Sequence, residues 1–152
     1  MRWYMVSELP EINLKPIGTV HSEIKEREKG HTALATATIE IDSSLAEGLD
    51  NLDEFSHIIV IYWIHKTHRP APMKVYPRHH AHPHQVGVFA SRSPDRPNPI
   101  GKSTVRLLKR EGNVLTVDGL DALDGSPVLD IKPYIPGLDS VENARAPLWT
   151  KH

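Results

Sequence analysis

The sequence contains no cysteine. Without thiols the chain has no disulfide framework, no thiolate nucleophile and no cysteine-ligated zinc or iron–sulfur site. No stretch approaches the ~20 consecutive apolar residues of a membrane helix, and Met1 to Pro10 carries only scattered apolar side chains. We therefore expect a soluble, cytoplasmic protein with neither a membrane span nor a signal peptide.

The common nucleotide-binding and hydrolytic motifs are also missing. The chain has no GxGxxG after a predicted strand, no GxxxxGK followed by Ser or Thr, no GxSxG and no HExxH. These absences argue against a Rossmann-type enzyme.

The apolar residues predict strands rather than long helices. The length of 152 residues fits one domain over residues 1–152, and seven of the thirteen prolines fall between Pro70 and Pro99. Alternating or continuous β-branched runs predict strands at Pro16 to His21, Thr32 to Ile41, Ile58 to Ile64, Val86 to Ala90, Thr104 to Leu108, Val114 to Leu120 and Val128 to Tyr134. The expected class is mainly β: a closed, mostly antiparallel β-barrel with one or two short helices.

Two segments between the strands have patterns of their own. Ser44 precedes Glu47 by three residues, a capping-box spacing, and leucines follow at helical intervals, which predicts a short helix. The segment His68 to His84 is rich in Pro, His and Arg and predicts a long, stiff surface loop.

Charge is unevenly distributed along the chain. The formal net charge is −1, yet residues 57–110 hold ten Lys or Arg against one acid, Asp95, and seven of the ten histidines. A positive surface of this kind suits a polyanion such as nucleic acid, while the alternative is a solvated basic face.

The histidine cluster raises the question of a metal site. In an extended segment His80, His82 and His84 would lie on one side, as a triad for zinc or nickel. Pro83 interrupts that extension, Arg78 is cationic, and no carboxylate stands nearby to orient the rings. We therefore expect no metal site.

The segment Gly87 to Ser103 presents two arginines on a backbone stiffened by three prolines. Preorganised guanidinium groups, here Arg92 and Arg96, suit anion binding. The alternative is a proline-stiffened barrel connection with exposed arginines.

Two long segments resemble the hallmark motifs of the TsaA-like or TrmO family: VGVFASRSPDRPNPIGKS and LDALDGSPVLDIKPYIPGLDS. The segments Ile17 to Ser22, Leu52 to His57 and Tyr62 to Lys66 are similar to the family too, so the resemblance covers about residues 14 to 149. It implies a β-barrel tRNA methyltransferase that uses S-adenosyl-L-methionine. The expected acceptor is the exocyclic nitrogen of threonylcarbamoyladenosine beside the anticodon, and the expected assembly is a homodimer, with Leu148 and Trp149 as a candidate contact.

Site residues are carried over by position from this resemblance. The cofactor-binding candidates are His65, Lys66, Arg92, Lys102, Ala122, Leu123, Asp124 and Gly125. Arg92 would pair with the methionyl carboxylate, and the Asp124-Gly125 turn would meet adenine or ribose. The proton acceptor is either His65 or the carboxylate of the modified nucleoside itself.

The basic stripe from Lys66 to Arg110 would bind phosphates of the anticodon loop. The tRNA-binding candidates are Arg69, Arg78, Arg96, Lys132 and Tyr134. A base would stack on Tyr134 or Trp63, although Trp63 lies in an apolar run that favours core packing.

The family commonly has a Pro-Arg-Gln loop after the first strand, whereas this chain has Lys25 to Gly30 there. That departure supports a rival hypothesis, a non-catalytic barrel that binds S-adenosyl-L-methionine or an anion. A second rival is a histidine-rich, metal-dependent hydrolase.

Overall fold

The computed structural model describes residues 6–26, 35–77 and 84–150. Eight strands are present: β1 (Gly18–His21), β2 (Ala35–Ile41), β3 (His57–Trp63), β4 (Lys74–Val75), β5 (Val86–Gly87), β6 (Ile100–Glu111), β7 (Val114–Leu120) and β8 (Pro127–Pro133). One short α-helix, α1, spans Pro136–Asp139. Short 3₁₀ helices lie at Val6–Glu8, Ser43–Leu49, Leu52–Glu54, Val88–Ala90 and Leu148–Thr150.

Six strands close into a barrel, which confirms the predicted fold class. The order around the barrel is β1-β2-β7-β6-β3-β8, and every neighbouring pair is antiparallel. The seam is short, since β1 meets β8 only through Gly18 opposite Val128 and Thr19 opposite Pro127. The remaining strands, β4 and β5, form a separate two-stranded sheet.

The barrel interior is filled by alternate residues of each strand. Ile58, Val60 and Tyr62 of β3 point inward and are buried together with Leu115 and Val117 of β7. Because this interior is packed with side chains, the barrel core offers no room for a ligand, and a binding site must lie at the rim.

Most predicted strands are confirmed within a few residues. Val114–Leu120 forms β7 as predicted, and β3 begins and ends one residue before Ile58 to Ile64. Strand β6 extends well beyond Thr104 to Leu108 in both directions because its edges pair with β3 and β7. For Thr32 to Ile41, the structure describes residues 35–41, which are β2, while 32–34 lie outside the described residues.

Two local predictions are wrong. Val86 to Ala90 is a strand only at Val86–Gly87, because Val88 turns into a 3₁₀ helix and buries its side chain. The capped segment is a 3₁₀ helix, and its N-cap is Asp42, whose carboxylate accepts a hydrogen bond from the Ser44 amide. The helix therefore begins two residues earlier than the Ser44 cap predicts, and the Asp42 carboxylate satisfies an amide of its first turn.

The stiff loop predicted from His68 to His84 contains the short strand β4, paired with β5. Residues 78–83 of that loop lie outside the described residues. In the part of the chain that the structure describes, no helix is long and apolar enough to cross a membrane.

Because neighbouring strands run in opposite directions, three connections lie at the same end of the barrel. Strands β1, β3 and β7 end there, and β2, β6 and β8 begin there. The chain that follows β1, the long connection of residues 64–99 and the β7–β8 connection of residues 121–126 therefore meet at one rim. We call it the loop end of the barrel.

Replacing Gly18 by alanine should destabilise the fold. An added Cβ would collide with the Glu40 carbonyl oxygen and lie 3.0 Å from the Ile41 Cα, both backbone atoms of the paired strand. We expect a loss of about 1–3 kcal/mol in unfolding free energy, measured by urea denaturation. The matched control is Gly48→Ala, where a Cβ meets nothing within 4 Å. Equal stability of both variants would contradict this account of the close approach between β1 and β2.

Candidate functional site

The arginine loop, residues 91–99, is held by its own hydrogen bonds at the loop end. Arg96 donates from Nη1 to the Ser91 and Ser93 carbonyl oxygens at 3.1 and 3.2 Å. Arg69 donates to the Pro97 carbonyl at 3.1 Å, and the Asp95 carboxylate accepts from the His68 amide at 2.8 Å. The loop therefore has a fixed shape, but Arg96 and Arg69 use part of their hydrogen-bonding capacity to maintain it.

Arg92 differs from these arginines. Its side chain is exposed, and within the described residues no group accepts a hydrogen bond from it. A guanidinium presented in this way on a braced loop keeps its donors for an anionic ligand.

A cleft of about 500 Å³ opens beneath the arginine loop. Its charged lining consists of Arg92, Arg96, Lys102 and a single carboxylate, Asp121. The Tyr62 side chain forms part of the floor. The volume is in the range of small-molecule sites, and the excess of cations suits a ligand that carries negative charge.

Sequence reasoning missed the carboxylate of this cleft. Asp121 Oδ1 accepts two hydrogen bonds, from the Tyr62 hydroxyl at 2.7 Å and from Ser103 Oγ at 2.6 Å. Tyr62 is only 3% exposed, and its ring packs against Gly101, where an added Cβ would overlap the ring. No local motif identifies this group, because its three members come from three different strands or connections.

The second part of the site is centred on Asp124. One carboxylate oxygen accepts from the Ser22 amide at 3.0 Å, and the other forms an ion pair with Lys25. Lys66 donates to the Lys25 carbonyl at 2.7 Å and so joins the same cluster. The Lys25 ammonium, followed by the Ser22 amide, lowers the pKa of Asp124 below its usual value.

The turn at Gly125 has the left-handed backbone conformation, with φ of +78°, that favours glycine. The Asp124 amide donates to the Ile24 carbonyl and the Gly125 amide to the Val20 carbonyl, both at 2.8 Å. A ligand at this turn must therefore be met by carbonyl oxygens or side chains. Ala122 and Leu123, also predicted cofactor residues, are buried, and the Leu123 carbonyl accepts a hydrogen bond from the Ser126 amide at 3.1 Å.

His65, the predicted base, is exposed, and its Nδ1 lies 3.3 Å from Ser126 Oγ. Ser126 is 2% exposed, so it ties the imidazole to the turn at Asp124. His65 is not among the residues that line the 500 Å³ cleft, although its neighbour Ile64 is.

The predicted tRNA-binding residues occupy two regions. Arg69 and Arg96 lie at the loop end, whereas Lys132 is opposite Ile59 in the middle of β3. Tyr134 lies towards the other end and packs edge-on against His57, with ring centroids 6.4 Å apart. Arg78 lies outside the described residues.

Two of them, Lys132 and Tyr134, lie on the same outer face of the barrel as Lys102. Paired residues of antiparallel strands point to the same side, and Ile61 opposite Lys102 and Ile59 opposite Lys132 both point outward. Trp63 belongs to this outer face as well. It is half-buried in an apolar groove of about 430 Å³ beside the cleft rather than packed in the barrel core, where the sequence placed it.

Most of the histidine cluster considered as a metal site lies outside the described residues. His80 and His82 lie outside the described residues, and so does Pro83. Within residues 6–26, 35–77 and 84–150, no group of three His, Asp or Glu side chains is arranged to hold a metal ion.

Comparison with known proteins gives consistent matches. A family model described as the tRNA-methyltransferase O N-terminal domain matches residues 19–140. An S-adenosyl-L-methionine-binding protein of Archaeoglobus fulgidus is 45% identical over 132 residues, covering 84% of this chain and 93% of its own length. A human tRNA (adenine(37)-N6)-methyltransferase is 43% identical over 101 residues, covering 66% of this chain and 23% of its own length.

A solved structure of TrmO from P. aeruginosa has a TM-score of 0.73 and 34% sequence identity, covering 93% of this chain and 62% of that chain. This chain therefore spans less than two thirds of the TrmO structure, and it spans 37% of a second Archaeoglobus fulgidus relative. The two Archaeoglobus fulgidus relatives are named for the cofactor that the sequence resemblance implied. Because the family model matches most of the chain and the identities are high, this protein belongs to the TrmO family.

Proposed function

We propose that this chain is an S-adenosyl-L-methionine-dependent methyltransferase. Its acceptor is the exocyclic nitrogen of a modified adenosine, threonylcarbamoyladenosine, beside the tRNA anticodon. One observation supports this proposal above all. The cationic cleft under Arg92 and the Asp124 cluster lie at the same end of the barrel. The names of the family and of the human relative support the reaction class and the RNA.

The donor set fits this cofactor. S-adenosyl-L-methionine carries a carboxylate, an ammonium, ribose hydroxyls and an adenine, and it supplies an electrophilic methyl group on a sulfonium. The Arg92 guanidinium is available for the carboxylate, and the Asp124 carboxylate can accept from an ammonium or a hydroxyl group. In this structure Lys25 forms an ion pair with the Asp124 carboxylate. Lys25 lies in the segment after β1, where the family commonly has its Pro-Arg-Gln loop.

In this proposal the residues of the cleft align the cofactor with the acceptor nucleotide and exclude water from them. The braced arginine loop and the Tyr62 floor are rigid, so two ligands bound there keep a fixed relative orientation. Holding two reactants in this way can lower a barrier by ~7–11 kcal/mol in favourable cases. Methyl transfer needs an in-line approach more than a metal, which agrees with a cleft lined by Arg92, Lys102 and Asp121.

The RNA lies, in this proposal, along the outer face that carries Lys102, Lys132 and Tyr134. The cations would neutralise phosphates, and a base would stack on the face of the Tyr134 ring. This path leads from the far end of β3 to the cleft, where the target nucleotide would enter.

The homodimer remains a prediction. The segment after β8 carries apolar side chains for such an interface, since Leu148 is 80% exposed and Leu138 and Val141 are exposed as well. Trp149 is half-buried.

The proposed function is tested by incubating the protein with methyl-labelled S-adenosyl-L-methionine and total tRNA, followed by nucleoside analysis. We expect label in threonylcarbamoyladenosine, with and without a chelator. Cofactor binding without any transfer would support the rival binding module instead. Transfer that requires added zinc would support the metal-dependent rival.

Arg92→Ala should weaken binding of S-adenosyl-L-methionine by about 1.5–3 kcal/mol, because a charge-assisted pair with the cofactor carboxylate is lost. Isothermal titration calorimetry measures the change. The matched control is Arg106→Ala, an exposed arginine of β6 outside the cleft, which should bind like the parent. An unchanged affinity of the Arg92 variant would show that the cofactor carboxylate lies elsewhere.

RNA affinity should fall steeply with salt, and Lys102→Ala should reduce the log–log slope by about 0.7–0.9, the contribution of one phosphate contact. Fluorescence anisotropy with an anticodon stem-loop gives both slopes. Lys109→Ala is the control, since Lys109 lies near the other end of the same strand and is paired with Glu111 at 2.9 Å. Salt-independent binding, or equal slopes for Lys102→Ala and the parent, would contradict the proposal that RNA binds to this face.

A further inference from the structure

We propose that Asp121 is the catalytic residue that accepts the proton from the target nitrogen, held in position by Tyr62 and Ser103. The inference rests on the methyltransferase function proposed above and deepens it. It replaces the two proton acceptors that the sequence suggested, His65 and the carboxylate of the modified nucleoside, with a side chain of the cleft itself.

The first argument is the chemistry of the cleft lining. Arginine and lysine side chains are donors only, so Arg92, Arg96 and Lys102 cannot accept a proton from an N–H group. Asp121 is the one carboxylate among the described residues that line the cleft. The Tyr62 hydroxyl also lines the cleft, but its proton is donated to Asp121, so an exocyclic nitrogen that enters with its hydrogen meets a single carboxylate acceptor among the described residues.

The second argument is the orientation of that carboxylate. Both protein hydrogen bonds, at 2.7 and 2.6 Å, converge on Oδ1. No hydrogen bond to Oδ2 comes from the residues that the structure describes. The Tyr62 and Ser103 hydroxyls therefore fix the carboxylate from one side and leave the other oxygen to a ligand.

The third argument is rigidity. The Tyr62 hydroxyl is carried by a buried ring that packs on Gly101, and Ser103 belongs to the same strand, β6. The acceptor is thus positioned by strands of the barrel rather than by a loop, which keeps its geometry when a ligand binds. His65, in contrast, is exposed and turned towards Ser126.

The step balances in atoms and charge. The nitrogen forms a bond to the methyl carbon while the carbon–sulfur bond breaks and its electron pair stays on sulfur, which leaves as a neutral thioether. The nitrogen-bound proton passes to the Asp121 carboxylate. One positive sulfonium and one negative carboxylate are consumed, and a carboxylic acid and a neutral methylated nitrogen are formed.

The decisive variant is Asp121→Asn. Because Tyr62 and Ser103 donate to the Oδ1 position, the carbonyl oxygen of asparagine takes that place and its NH₂ group takes the other, so a donor now faces the nitrogen's own hydrogen. We expect kcat for labelled methyl transfer to fall by at least about 100-fold, the usual range for loss of a general base. Cofactor affinity, measured by calorimetry, should stay within about twofold of the parent value.

Matched controls separate chemistry from folding. Asp118→Asn removes an exposed carboxylate of β7 that accepts only from Thr36 in the described structure, and it should keep parent kcat. Tyr62→Phe and Ser103→Ala should each lower kcat several-fold without raising KM, since they loosen the carboxylate but remove no contact with substrate. Thermal unfolding is recorded for every variant.

A binding readout does not depend on turnover. With S-adenosylhomocysteine present, the parent should bind a stem-loop carrying threonylcarbamoyladenosine about tenfold or more tightly than the same RNA carrying the N-methylated nucleoside, whose nitrogen has no hydrogen to donate. Asp121→Asn should lose this preference while binding the methylated RNA like the parent.

Each outcome decides between the two proposals. A parent that transfers no methyl group to tRNA overturns the proposed function and this inference with it. If the parent is active and Asp121→Asn keeps the parent kcat, the inference alone is overturned. The same follows if the active parent shows no preference for the RNA whose nitrogen carries a hydrogen, or if Asp121→Asn retains that preference. The same holds if Asp121→Asn loses cofactor binding or stability together with activity, because the residue would then be structural.

Discussion

Antiparallel hydrogen bonding between neighbouring strands closes the barrel, and closure decides where each connection lies. A strand that ends at the loop end is followed by one that begins there, so three connections must meet at that rim. The packed interior excludes a ligand from the core. The site is consequently assembled from residues that are up to a hundred positions apart, as Ser22 and Asp124 are.

Charge at this rim follows from the same arrangement. The connections bring many cations together, and two of the carboxylates among them are restrained by neighbours, Asp124 by Lys25 and Asp121 by two hydroxyls. The lowered pKa of Asp124 means that its contacts favour the folded state above the usual carboxyl pKa, and that this contribution is lost as pH falls through the lowered value. At neutral pH the Asp124 cluster is therefore intact, and a ligand that uses this carboxylate must compete with Lys25.

The sequence predicted the barrel because its strands alternate or run apolar over most of their length, as Val114–Leu120 does. It predicted too short a β6, since Gly101, Lys102 and Ser103 have weak strand propensity and are held in the sheet by pairing with β3. The family resemblance identified Arg92 and Asp124 as candidate site residues, because each lies within a short continuous motif. Asp121 was missed because its role depends on register, which places Tyr62 opposite Gly101, and local sequence does not encode register.

Tyr62 connects the core of the barrel to the chemistry of the rim. Its ring is an inward-facing core residue, yet its hydroxyl reaches the cleft, and this is compatible only with a glycine opposite it on β6. A larger residue at position 101 would displace the ring, and the hydroxyl would move with it away from Asp121. Packing density and hydrogen-bond geometry are therefore coupled at this position. Glycine has a low strand propensity, but at position 101 it leaves the space that the buried Tyr62 ring needs to place its hydroxyl group in the site.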